Sequence, residues 1–152
     1  MKYLVFQLAG EEFGIQVQKV REIMGVQDIT QVPQTPPYVK GVINLRGKVI
    51  PVVDLRLKFT MPSVEYTQRT CIIVVEAAGE RGPMLMGVVV DAVAEVLSVS
   101  PGEVEEAPSF GHDVDTSYIL GLGKVKGQVK ILLDIDRVMT ARELKHLELA
   151  AG

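Results

Sequence analysis

The sequence predicts a mainly β fold: two intertwined five-stranded β-barrels sharing a core, with short helices and one C-terminal helix. Three observations predict it. Short β-branched and aliphatic runs recur along the chain, each bounded by Gly, Pro or a charge, which reads as strands and turns. Two of these stretches return later in the chain in the same order. And 47% of the 152 residues are hydrophobic. That share is high for so short a chain, as expected if two units too small to stand alone bury a joint core.

The elements follow in order. Leu4, Phe6 and Leu8 alternate with Tyr3, Val5 and Gln7, the period-2 pattern of a half-buried strand. This stretch runs into Glu11-Glu12 with no small-residue cleavage site, so it reads as a strand and not as a signal peptide. Val49-Ile50, Val52-Val53, Cys71 to Val75, Val88 to Val90 and Ile131 to Leu133 supply further strands. Thr60 to Tyr66, Ala77 to Pro83 and Glu106 to Ser117 read as loops. Ser100-Pro101-Gly102-Glu103 joins an N-cap Ser, a Pro at the first helical position and a Glu three residues on, which marks a short helical turn. Thr140-Ala141-Arg142-Glu143 is a second capping box. It opens an amphipathic helix over 141–150 that places Leu144 and Leu147 on one face.

The repeat is the most informative feature. Gly41 to Leu55 aligns with Gly121 to Ile135 at a constant offset of 80. Both copies read Gly, three residues, an aliphatic, a basic residue, Gly, then a strand ending in Asp-aliphatic. Tyr38 and Tyr118 keep the same offset. Earlier, Gly14-x-x-Val17-x-x-Val20-x-Glu22-Ile23 aligns with Gly87-x-x-Val90-x-x-Val93-x-Glu95-Val96 at offset 73. The change places a seven-residue insertion in the 98–117 loop. The chain therefore reads as one domain, 1–152, with one sub-barrel over about 1–65 and a second over about 66–140. Barrels of five strands are filled by side chains and leave no ligand cavity. Asp54 and Asp134, at equivalent strand ends, cap the turns that follow.

Catalytic and metal-binding constellations are missing from the sequence. Its histidines are His112, in a loop, and His146, on the C-terminal helix, and neither is near the single Cys71. Cys71 lies in an apolar strand and reads as a buried structural thiol. One cysteine forms no internal disulfide and no multi-Cys zinc site. Asp113 and Asp115 lack the Gly and terminal Glu of a calcium loop. Gly121-x-Gly123-x-x-x-Gly127 misses the dinucleotide fingerprint and precedes a strand. The longest uncharged stretch, Ile29 to Val39, has 11 residues with three prolines, far short of the ~20 that span a membrane. A non-catalytic binding module, without cofactor or metal and located in the cytoplasm, is the leading class. Charge is uneven: Lys40 to Lys58 is net +4 and Glu76 to Asp115 is net −8, which suits docking between unlike partners. The basic segment also admits a small nucleic-acid-binding barrel. Against that stand the pI of 5.4 and the lack of interleaved aromatics for base stacking.

The run Lys40-Gly-Val-Ile-Asn-Leu-Arg46-Gly-Lys-Val-Ile-Pro-Val-Val-Asp54-Leu-Arg56 strongly resembles the signature of CheW-type chemotaxis coupling proteins. Phe13-Gly14-Ile15, Lys19 to Ile23, Gly87 to Asp91, Leu120 to Gly123 and Leu133-Asp134-Ile135 support it, so the likeness covers nearly the whole chain. The resemblance implies barrels of SH3-like type. It implies a cytoplasmic scaffold that bridges the cytoplasmic tip of chemoreceptors to the regulatory domain of a CheA-type histidine kinase, in arrays at the membrane. It implies no membrane insertion, no nucleic acid, and a protein monomeric by itself. A coupler in a chemosensory system that controls something other than swimming would look the same. For receptor contact the resemblance marks Val20, Glu22, Gly41, Arg46 and Ile72, and it assigns no residues to the kinase face. Each has a second reading. Arg46 can pair bidentately with receptor carboxylates or brace the fold through a salt bridge. Glu22 can be a solvated strand residue, Val20 core, and Gly41 a turn or close-approach residue.

Overall fold

The computed structural model describes residues 1–79, 82–108 and 116–151. The strands are β1 (Lys2–Leu8), β2 (Glu11–Gln16), β3 (Val20–Gly25), β4 (Val39–Leu45), β5 (Lys48–Asp54), β6 (Cys71–Gly79), β7 (Gly82–Val90), β8 (Ala92–Ser98), β9 (Val104–Glu105), β10 (Ile119–Val125) and β11 (Gln128–Leu133). The helices are α1 (Leu55–Lys58), α2 (Ile135–Val138) and α3 (Ala141–Ala151), with 3₁₀ turns at Val17–Lys19 and Pro101–Glu103. One sheet has six strands in the order β8-β1-β2-β11-β10-β9, and the other has five in the order β3-β6-β7-β5-β4. The fold class is the one the sequence predicts.

The repeat is visible in the pairing. Gly14 of β2 lies beside Leu132 of β11 in a parallel pair, and Gly87 of β7 lies beside Val52 of β5 in another. The hairpins β4–β5 and β10–β11 turn on Arg46-Gly47 and Lys126-Gly127, with φ of +51° and +84° against +51° and +77°. Two successive positive φ values are what a tight antiparallel hairpin of the natural twist requires, and Gly supplies the second cheaply. Asp54 and Asp134 cap the short helices α1 and α2 by accepting from Leu57 and Asp136 N–H. Tyr38 O and Tyr118 O each accept, at 2.8 Å, from the N–H of those aspartates.

The boundaries 1–65 and 66–140 do not enclose the two sheets. β1 and β2 take β8 and β9 to β11 as sheet partners, while β6 and β7 take β3 to β5. Each repeat thus lends its first hairpin to the remainder of the other. Repeat spacing reveals two copies but carries nothing about which copy's strands pair, because pairing is settled by long-range burial. The stretch Ala77 to Pro83 is also not a loop: β6 runs to Gly79 and β7 starts at Gly82, with Ala77 facing Met84 and Ala78 facing Pro83. Gly and Pro mark the narrow end of this hairpin, and pairing continues through them.

The exchange explains the apolar content. In β6, Ile73 and Val75 enter a core shared by both sheets, while Ile72 and Val74 enter a smaller core with Ile43, Ile50, Val52 and Val89. β1 behaves alike: Leu4, Phe6 and Leu8 reach the shared core, and Tyr3 joins Val99 and Leu132 in the small core of the other sheet. Both faces of β1 are buried, where strict alternation predicts a half-buried strand. Strands covered on both sides read as continuous hydrophobic runs. Stacked rings of Phe6, Phe13, Phe59 and Tyr118 cross the shared core.

The capping boxes form as predicted. Ser100 and Glu103 satisfy each other's turn, and Thr140 N–H donates to Glu143 while Glu143 N–H donates to Thr140 Oγ1. α3 then seats Leu144 and Leu147 in the shared core. Cys71 is half-buried, not buried, and its thiol donates to Arg69 O. Asp113, Asp115 and His112 lie outside the described residues.

Candidate functional site

β3 and β4 are opposite edges of the five-stranded sheet, yet they meet. Met24, Ile29 and Leu45 pack against the same small core, and Thr30 forms a bridge to Val42 of β4. The sheet therefore curls on itself. At its mouth Arg46, in the β4–β5 turn, donates from Nη2 to Glu22 Oε1 of β3 at 2.7 Å. Arg21 pairs with Glu76 of β6 alongside.

These residues line a groove of about 360 Å³ together with Leu45, Lys48, Val74, Pro83 and Leu85. Its floor is apolar and its rim carries three cations and two carboxylates. Among the described residues Lys48 has no ion-pair partner. The Arg46 side chain is 74% exposed, against 28% for Glu22. One of its donors is engaged and the remaining ones face water, so the guanidinium is presented and not consumed by the pair. Asn44 Oδ1 accepts from Gly47 N–H at 2.8 Å and holds the turn that aims it.

The five residues marked by the sequence divide across the strands. Glu22 and Arg46 are in direct contact. Glu22 shares the barrel-interior face of β3 with Met24, which pairs with Ile72. Val20 pairs with Val75 and packs on the shared core, on the opposite face of β3. Gly41 is buried at the base of β4, where a Cβ would sit 2.0 Å from Thr30 O. Ile72 is 0% exposed, so it supports the site from beneath and presents no surface of its own. Both faces of the strand are covered at this point.

Sequence reasoning did not single out Arg21, Lys48, Glu76 and Leu85. Arg21 and Lys48 adjoin Glu22 and Arg46 in the chain, and a signal was therefore at hand. Glu76 and Leu85 come from the β6–β7 hairpin, and only the sheet order brings them here.

Within the basic stretch from Lys40 to Lys58, Arg56 and Lys58 are paired inside the molecule. Arg56 binds Asp91 through two hydrogen bonds of 2.7 and 2.6 Å. Against the pull of partial burial, those bonds and the Ala9 N–H hold the Asp91 carboxyl below the usual carboxylate range. Lys58 pairs with Glu143 at 3.0 Å and lies over the Tyr38 ring. Lys40 lies over Tyr66. Arg56 and Lys58 are therefore not available to a phosphate backbone, which leaves Lys40, Arg46 and Lys48. Among the described residues no group of His, Cys, Asp or Glu could hold a metal ion, and no helix is long and apolar enough to cross a membrane.

Comparison with known proteins identifies the frame in which this site sits. The family model of the CheW-like domain matches residues 2–143. The chemotaxis protein CheW of Klebsiella aerogenes is 38% identical over 143 residues, covering 94% of this chain and 84% of that protein. The chemotaxis protein CheW of Bacillus subtilis is 36% identical over 139 residues, covering 91% and 86%. The crystal structure of the scaffolding protein CheW from Thermoanaerobacter tengcongensis superposes with a TM-score of 0.81 at 33% identity, covering 93% of this chain and 95% of that one. The chain belongs to the family of CheW-like domains.

Proposed function

We propose that this chain is a non-catalytic chemotaxis adaptor, which couples the cytoplasmic tips of chemoreceptors to a CheA-type histidine kinase in signalling arrays. The family supports the adaptor role and the general identity of both partners. The observation that supports the receptor side is the presented guanidinium of Arg46 above an apolar floor. A helical receptor tip needs apolar anchors and a polar rim to fix its register. Leu45 and Leu85 supply the first, and Arg46, Glu22, Arg21 and Lys48 the second. Val20 and Gly41 shape the segments that carry this rim, and Ile72 backs it. The adaptor works from the cytoplasm, recruited to arrays at the membrane, and each of its interfaces is weak by itself and gains avidity from the array.

The Arg46–Glu22 pair is too exposed to matter much to folding, since such pairs contribute about 0–1 kcal/mol. The substitution Arg46→Glu separates contact from bracing. It should abolish co-sedimentation with receptor-containing membranes while the melting curve stays within about 3 °C of the parent, the shift that 1 kcal/mol produces at this chain length. A large fall in melting temperature with binding retained in the folded fraction would make Arg46 a structural brace.

A further inference from the structure

Two ion pairs outside the groove occupy matching places in the exchanged fold. At the first, Asp91 stands on the crossover from β7 to β8, where the chain leaves the five-stranded sheet for the six-stranded one. It accepts from Ala9 N–H in the β1–β2 turn at 2.9 Å and from Arg56 of α1 at 2.7 and 2.6 Å. At the second, Lys19 stands on the crossover from β2 to β3, where the chain passes the other way. Lys19 pairs at 2.9 Å with Asp136 of α2, and Asp136 accepts from Ala78 N–H of β6 at 2.9 Å. Arg56 and Asp136 are equivalent in the 80-residue repeat. Each latch therefore joins a crossover, the short helix that ends one sheet, and the far end of the hairpin that the other sheet borrows. The polarity is reversed between them: the helix supplies the cation in the first and the anion in the second.

We infer that these two latches fix the orientation of the sheets, and that Lys19–Asp136 ties the proposed receptor groove to the six-stranded sheet. The inference rests on the adaptor reading for its consequence and on the contacts alone for its geometry. Lys19 directly precedes Val20, Arg21 and Glu22. Arg21 pairs with Glu76, two residues before Ala78. A load on the groove is thus passed through β3 and β6 into Asp136 and α2. The shared core between the sheets is apolar and non-directional, and the two latches add directional bonds on different crossovers. Lys19 and Asp136 are positioning residues: they touch no partner, and they keep the receptor side and the rest of the scaffold in one rigid arrangement.

The test compares Lys19→Gln, Asp136→Asn and the reversed pair Lys19→Glu with Asp136→Lys, which has the polarity of the first latch. Receptor co-sedimentation and kinase binding are expected to stay within about twofold, since a partly exposed pair contributes little to stability. Receptor-dependent kinase stimulation is expected to fall about fivefold or more in each single variant, the scale of a typical coupling energy, and to recover in part in the reversed pair, which restores the ion pair but not the acceptor for Ala78 N–H. The geometry is read separately by pulsed spin-label distances between Val49→Cys and Val129→Cys, exposed equivalents on the two sheets, with Cys71→Ser as background. The distance distribution should broaden in the single variants and narrow again in the reversed pair. Unchanged stimulation with an unchanged distribution overturns the inference. So does a loss of stimulation that tracks a loss of receptor binding, which would make Lys19 a contact residue. If the parent protein stimulates no kinase, the adaptor reading fails instead, and the distance distributions alone decide whether the latch exists.

Discussion

Gly41→Ala should dislodge the Thr30 segment from β4 and not merely alter the surface. Gly41 has φ +140°, and a Cβ there would stand 2.0 Å from Thr30 O and 2.7 Å from Thr30 C. Those are backbone atoms, so relief requires the Thr30 segment to move off β4. That movement breaks two hydrogen bonds, Thr30 N–H to Val42 O and Val42 N–H to Thr30 O, both 2.9 Å. Each contributes about 1 kcal/mol net. The left-handed backbone adds roughly 1–2 kcal/mol for a residue with a Cβ. The sum is about 3–4 kcal/mol, which at this chain length lowers the melting temperature by about 10 °C. Gly47→Ala is the control in the same segment. Gly47 also has positive φ, at +84°, but nothing lies within 4 Å of its Cβ position. It should cost only the backbone preference, about 1 kcal/mol or about 3 °C. Scanning calorimetry of both variants measures this directly. If Gly41→Ala melts within about 2 °C of the parent while receptor binding is lost, the close-approach argument is wrong and Gly41 is itself contact surface.

Ile72→Ala should cost about 2–5 kcal/mol by opening a cavity beneath the groove, whereas Ile72→Val should cost about 1 kcal/mol and keep receptor binding, as read by urea denaturation beside co-sedimentation. Lys130, 5% exposed, takes the place that Ile50 holds in the other repeat and pairs with Glu12. Glu12→Ala removes the counter-charge, leaving the buried ammonium with only its bond to Gln128 Oε1 at 2.9 Å, and should destabilise by about 3 kcal/mol, while Lys130→Met should stay within about 1 kcal/mol of the parent in the same denaturation assay. Glu143 is pushed up by partial burial, but hydrogen bonds from Thr140 N–H, Tyr38 and Lys58, with the Lys58 charge, outweigh this and hold it at about 2. Its folded value is below its unfolded one, so the stabilisation is complete above about pH 4.5. It is lost as pH falls toward 2 and amounts to on the order of 3 kcal/mol. Glu143→Gln should therefore melt lower than the parent at pH 7 and alike at pH 2.

Much of the fold was legible because local chemistry and fold agree. Arg46-Gly47 and Lys126-Gly127 announce tight hairpins, Asp54 and Asp134 announce capped turns, and Thr140 with Glu143 announces α3. Which strands are exchanged was not legible. Val88-Val89-Val90 pairs as readily with one aliphatic run as with another, and only the joint burial of both faces selects β5. The site divides the same way. Glu22 and Arg46 lie in specific motifs and proved to touch. Ile72 is marked for receptor contact by the resemblance alone, and its full burial follows from cover on both faces of Ile72 to Val75, which no local pattern encodes. Glu76 and Leu85 reach the groove only through sheet order, which no local pattern encodes.

The most direct measurement is kinase autophosphorylation in a reconstitution of receptor-containing membranes and a CheA-type kinase, with and without this protein. The account predicts strong stimulation that requires both receptor and this chain, and its loss with Arg46→Glu. Binding to neither partner and no change in kinase rate would contradict the account.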